Sequence, residues 1–152
     1  MRGRVGTVTG AIVIAALALA GCGDDSTEAS GDGGIDVSLT EWTVEAPATV
    51  AAGSVTVNAI NEGGETHELV VVRADSPDGF ETDDTGKVLE DQFAEEDFIG
   101  EIEEFEAGTT ESATFDLSAG TYVLFCNIVE EEADGTWESH FGEGMVTTIT
   151  VE

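Results

Sequence analysis

Short runs of two-residue apolar periodicity, cut apart by glycine-rich turns, restrict this chain to a narrow set of folds. Ile35, Val37 and Leu39 alternate with polar residues, and Trp42 and Val44 continue in the opposite phase, which predicts two half-strands joined by a bulge. Val55, Val57 and Ala59 form a second strand between a turn bracketed by Pro47 and Gly53 and the turn-rich Asn61-Glu62-Gly63-Gly64. His67 to Val72 is almost continuously apolar, as expected of a strand covered on both faces. Ala113, Phe115 and Leu117 alternate again, Ser118-Ala119-Gly120 makes a turn, and Tyr122 to Cys126 forms the next strand. Met145, Thr147, Ile149 and Val151 share one face of the last. Strands of this length and spacing predict an all-β fold, a β-sandwich.

One stretch breaks the pattern. Asp75 to Glu106 carries 14 acidic residues and a single cation, Lys87, with Phe80, Phe93, Phe98, Ile99, Ile102 and Phe105 interspersed. Long connections in small domains tend to be functional or partly disordered. Within this acidic insertion, Val88 to Phe98 is expected to hold a short amphipathic helix and Phe98 to Phe105 a strand.

The N-terminus reads as a processing segment. Arg2 and Arg4 precede an apolar run, Ala11 to Ala20, that is too short to span a bilayer and fits a signal-peptide core. It ends in Leu19-Ala20-Gly21-Cys22, which resembles the site cut by lipoprotein signal peptidase and implies a lipidated Cys22; the alternative is an ordinary secretory signal in which Cys22 is incidental. The expected organisation is a leader over residues 1–21, a flexible tether over 22–34, and one domain over 35–152, too short for two hydrophobic cores. The domain would then sit on the extracytoplasmic face of the cell membrane, held by the lipid.

Beyond the leader the only cations are Arg73 and Lys87, against 33 carboxylates. Nucleic acid is excluded as a partner, because a polyanion would be repelled. A basic redox partner, a salt-rich habitat and simple acidic drift all remain compatible with this charge.

Cysteine and histidine are scarce. Once Cys22 is set aside, Cys126 has no partner for a disulfide, so it is either a buried inert thiol or a metal ligand. The remaining donors of comparable softness are His67, His140 and Met145. Two imidazoles and a thiolate with a weak thioether form the set that selects copper and suits electron transfer, and the chain holds that set once.

The residues around these four resemble a known family. Asn61 to Leu69 (NEGGETHEL) resembles the segment that delivers the first histidine of plastocyanin- and azurin-like cupredoxins, and Ala119 to Cys126 (AGTYVLFC) resembles the strand leading to their cysteine. His140-Phe141-Gly142-Glu143-Gly144-Met145 keeps the plastocyanin spacing between second histidine and methionine. The resemblance implies a Greek-key cupredoxin sandwich and one copper per chain held by His67, Cys126, His140 and Met145. The surrounding residues expected to tune it are Asn127, whose neighbouring backbone N–H groups would face the sulfur, and Glu68, which would pin the inserted loop between Cys126 and His140 or stand as an ordinary surface acid. One departure is evident: 13 residues, five of them acidic, separate Cys126 from His140, where the family has a tight loop. Extra length costs only about 0.6 kcal/mol per doubling, so His140 is expected in its usual place after an outward detour, with Glu143 or a loop carboxylate as the alternative ligand. The implied function is a one-electron carrier, monomeric and not an enzyme, serving a redox partner. The alternative is a copper chaperone or storage protein delivering metal to another exported protein. Two histidines leave none for the second centre of a multicopper oxidase.

Overall fold

The computed structural model describes residues 34–152; the leader and Cys22 lie outside the described residues. Eleven strands follow in chain order: β1 (Gly34–Thr40), β2 (Thr43–Glu45), β3 (Thr49–Val50), β4 (Gly53–Asn61), β5 (His67–Arg73), β6 (Phe98–Phe105), β7 (Thr110–Leu117), β8 (Gly120–Phe125), β9 (Val129–Glu131), β10 (Trp137–Ser139) and β11 (Val146–Val151). One helical turn, α1 (His140–Glu143), lies between the last two. A four-stranded sheet ordered β2-β1-β4-β7 faces a five-stranded sheet ordered β3-β11-β8-β5-β6, and β9 with β10 forms a separate hairpin. The sandwich expected from the periodicity is what forms.

The main core lies between the sheets. Val37, Leu39, Val57 and Ala59 from one sheet meet Leu69, Val71, Leu124 and Ile149 from the other, all buried. Each contributes through alternate positions of its strand, so burying one face orders the whole ladder. A full aliphatic side chain removed from water contributes roughly 1.5–3 kcal/mol.

The outer face of β5 and β8 is also covered. Val70, Val72, Val123 and Phe125 form a second apolar cluster with Val88, against which Phe80, Phe93, Phe98 and Phe141 pack. That cover comes from the segment between β5 and β6 together with Phe98 of β6 and Phe141 of α1, and it explains the unbroken apolar run from His67 to Val72. Phe80 sits at its centre, 4.9 Å from Phe93 and 5.9 Å from Phe125 between ring centroids, both edge-on.

Two local expectations are corrected. Between Leu39 and Val44 the chain does not bulge but reverses: β1 and β2 pair antiparallel with Leu39 opposite Val44, so Glu41-Trp42 is a two-residue hairpin tip. The phase change in the apolar pattern arises because opposed residues of a hairpin share a face. Val88 to Phe98 forms no α-helix; only a 3-10 turn, Glu90–Gln92, appears. There the Gln92 side chain accepts from Glu81 N–H and donates to the Glu81 and Leu89 carbonyls, and these bonds satisfy the loop backbone in place of a helical ladder. The strand expected over Phe98–Phe105 does form: it is the edge strand β6, paired with β5.

Candidate metal centre

Three side chains converge at one end of the sandwich. His67 opens β5, Cys126 follows β8, and His140 opens α1; all three are fully buried. His67 Nδ1 lies 3.3 Å from His140 Nδ1, and Cys126 Sγ lies 3.4 Å from His140 Nδ1 and 4.0 Å from His67 Nδ1. The three donor atoms thus form a small triangle. A first-row metal with bonds of about 2.0 Å to nitrogen and about 2.3 Å to sulfur, placed in the plane of three donors, would separate them by about 3.5–3.8 Å. The triangle fits such an ion, and its thiolate and imidazoles match copper.

Met145 joins the group through the backbone. Its carbonyl accepts the Cys126 N–H at 3.0 Å and its N–H donates to the His140 carbonyl at 2.9 Å. The side chain is fully buried in the main core beside Cys126. One turn of helix from His140 brings the chain back on itself, which accounts for the spacing of histidine and methionine.

The Cys126–His140 excursion is the β9–β10 hairpin, with Glu131 opposite Trp137 and Val129 opposite Ser139. Both of its ends are fastened to the segment between β5 and β6. Asn127 is fully buried; its Oδ1 accepts the Val88 N–H at 2.7 Å, and its Nδ2 donates to the Val88 carbonyl and to Glu90 Oε1. Ser139 Oγ donates to the Gly86 carbonyl at 2.8 Å and accepts the Gly142 N–H, capping α1. Gly86 has φ of 90°, and a Cβ there would lie 2.7 Å from Ser139 Cβ, so only glycine permits this clasp. Cys126 and His140 are therefore held by a clamp that closes outside the hairpin.

Glu68 touches the site twice. Its N–H donates to Cys126 Sγ at 3.5 Å, and its Oε1 accepts the Asn127 N–H at 3.1 Å. Burial pushes its carboxyl up to about 7, with repulsion from Glu101 and Glu90 adding and Lys87 and the Asn127 N–H opposing. Burial also pushes the Cys126 thiol up to about 12, against the backbone N–H groups of Glu68 and Ile128. Both imidazoles are held below their usual range, chiefly by desolvation, and so stay neutral and able to bind metal.

Two residues that the sequence did not single out complete the surroundings. Glu41 Oε1 approaches His67 Nε2 to 3.2 Å, and the Trp42 ring packs edge-on against His140 at 5.1 Å between centroids. His140 Nε2 lies 3.7 Å from Glu65 Oε2. Glu143 does not join the donor group, but Glu65 and Glu138 lie close enough to His140 to form a second cluster with it. Glu41 was hidden among 33 acids; the only available signal was the two-residue break between apolar half-strands.

A β-sandwich with a buried His–Cys–His triangle and a methionine tied to two of its members defines a cupredoxin. Solved structures bear out that fold. Auracyanin from Roseiflexus castenholzii is similar at a TM-score of 0.54 and 20% identity, covering 81% of this chain and 99% of that one. Auracyanin A from Chloroflexus aurantiacus, described as a "blue" copper protein, gives 0.52 at 16% identity over 78% and 98%. A rusticyanin variant gives 0.52 at 16% identity over 84% and 87%. No curated protein matches the sequence. The sulfocyanin (SoxE) domain matches residues 37–150, and the chain belongs to that family.

Proposed function

We propose that this domain is a mononuclear type 1 copper protein that carries single electrons at the extracytoplasmic face of a membrane. The observation that carries this reading is the buried triangle of His67 Nδ1, His140 Nδ1 and Cys126 Sγ. Copper bound there would supply one-electron exchange between its cupric and cuprous states. The protein's part is to hold neutral imidazoles and a thiolate in one geometry that suits both states, with Met145 as the weak fourth ligand. The Asn127 and Ser139 clasp keeps Cys126 and His140 from relaxing apart when the charge changes. Since the free thiol is protonated at neutral pH, loading releases a proton and affinity rises with pH.

Full burial of the donor triangle supports retained copper over ready delivery to another protein. The β9–β10 hairpin bears Glu130, Glu131, Glu132, Asp134 and Glu138 beside Trp137, which is 49% exposed, so a basic redox partner would be steered to this end. Titration with Cu(II) should yield an intense visible charge-transfer band at one copper per chain, and Cys126→Ser should remove it entirely. A wild-type protein that stays colourless refutes the electron-carrier reading.

Attachment through acylated Cys22 is part of the same proposal, supported by Leu19-Ala20-Gly21-Cys22. No helix among the described residues is long and apolar enough to cross a membrane. Stable anchoring needs at least two acyl chains, so the intact mass of detergent-extracted protein should show a diacylated or triacylated Cys22 as first residue. An unmodified Cys22 would exclude the anchor.

A further inference from the structure

We infer that Glu41 is a charged positioning residue of the copper site, taking the Nε2–H of His67 and, through its negative charge, favouring the cupric state and lowering the reduction potential. The inference rests on the copper reading above and adds a residue outside the four ligands. His67 turns Nδ1 into the donor triangle. A neutral imidazole that gives Nδ1 to a metal must carry its proton on Nε2. That nitrogen is fully buried and has no aligned acceptor, and the oxygen 3.2 Å away is Glu41 Oε1. A carboxylate in this position fixes the tautomer and raises the basicity of the ligating nitrogen.

Glu41 is also held in place. It stands at the tip of the β1–β2 hairpin, and the same Oε1 accepts the N–H groups of Gly64 and Glu65 at 2.9 and 3.0 Å. A Cβ on Gly63 would collide with the carboxylate, so the 61–66 turn is shaped around it. The two N–H donors thus fix the same oxygen that faces His67 Nε2, and the carboxylate cannot turn away without losing both. Glu65 provides an internal comparison: it lies 3.7 Å from His140 Nε2, is more exposed at 39% against 28%, and its Oε2 makes no hydrogen bond. Its effect should be the smaller.

Glu41→Gln separates charge from shape, because the amide oxygen can still accept the two N–H groups. In copper-loaded protein, Glu41→Gln should weaken cupric relative to cuprous binding roughly tenfold, a rise in potential of about 59 mV for one electron. Glu65→Gln should give less, and the charge-transfer band should persist in both. An unchanged potential in Glu41→Gln, or loss of its band, overturns the inference and leaves Glu41 as a loop clamp only. The metal-free protein gives a second readout that does not depend on copper uptake. Nitrogen-15 NMR should find His67 in the Nε2–H tautomer in wild type and mixed in Glu41→Ala, which removes the acceptor, and identical tautomers would also overturn it. Failure of the wild type to bind copper would instead show in the metal titration and refute the proposed function.

Discussion

The segment between β5 and β6 and the hairpin between Cys126 and His140 are both long, acidic and additional to a minimal sandwich, yet they behave as opposites. The first brings Phe80, Val88 and Phe93 to the outer face of β5 and β8 and packs there. The second is fastened only at its ends, through Asn127 and Ser139; between them its strands pair with each other alone, and Trp137 is left half exposed. Acidic content therefore says little about whether an excursion becomes scaffold. Apolar side chains at positions that reach an uncovered sheet face decide it, together with buried polar groups that the neighbouring chain can satisfy.

If the first excursion is scaffold and the second is free between its clasped ends, substitutions should rank from the clasp, through the cover, to the hairpin tip. The largest effect is expected from Asn127→Ala, which leaves the Val88 N–H and carbonyl buried without their partner. Each such group costs about 1–3 kcal/mol, so denaturant unfolding of the metal-free protein should show a loss of about 3 kcal/mol. The copper band should also broaden or shift as Cys126 loses its clamp. A loss under about 1 kcal/mol would break the comparison.

Next comes Phe80→Ala. The ring is half-buried at the centre of the aromatic cluster, so a loss of about 2 kcal/mol is expected, below that of a fully buried phenylalanine. Proteolysis within residues 75–97 should accelerate, and a protection pattern equal to wild type would show that this cover is held without Phe80.

The smallest effect should follow from replacing Glu132–Thr136 with a two-residue turn. Asp134, Gly135 and Thr136 satisfy one another and Glu132 within the turn and form no hydrogen bond with the sandwich, so stability should move by less than about 1 kcal/mol. The copper spectrum should be retained, because Asn127 and Ser139 hold the ends. Loss of the band would show that the hairpin itself positions His140.

Much of the sandwich was legible because its strands obey a simple period. The double burial of β5 was readable from the run His67 to Val72, although what covered its outer face was not. The donor group was readable for a different reason: cysteine and histidine are so scarce that the chemistry had few residues from which to choose. Glu41 was illegible because one carboxylate among many carries no mark until a hairpin reversal aims it at a ring. The Glu41-Trp42 reversal looked like a bulge because both produce the same phase change in an apolar pattern. The helix expected over Val88–Phe98 failed because side chains, Gln92 from within the segment and Asn127 from outside it, satisfy the backbone of Leu89 and Val88.

Trp42 on one side and the clasped hairpin on the other leave neither histidine ring with any surface open to water. Metal traffic then becomes a question of opening rather than of affinity. An ion can enter or leave only when the Glu41-Trp42 tip or the 126–140 arm swings away, a local excursion with its own free energy. Extraction by a strong chelator should consequently reach a rate ceiling that further chelator does not raise, and that ceiling measures how often the protein unlatches.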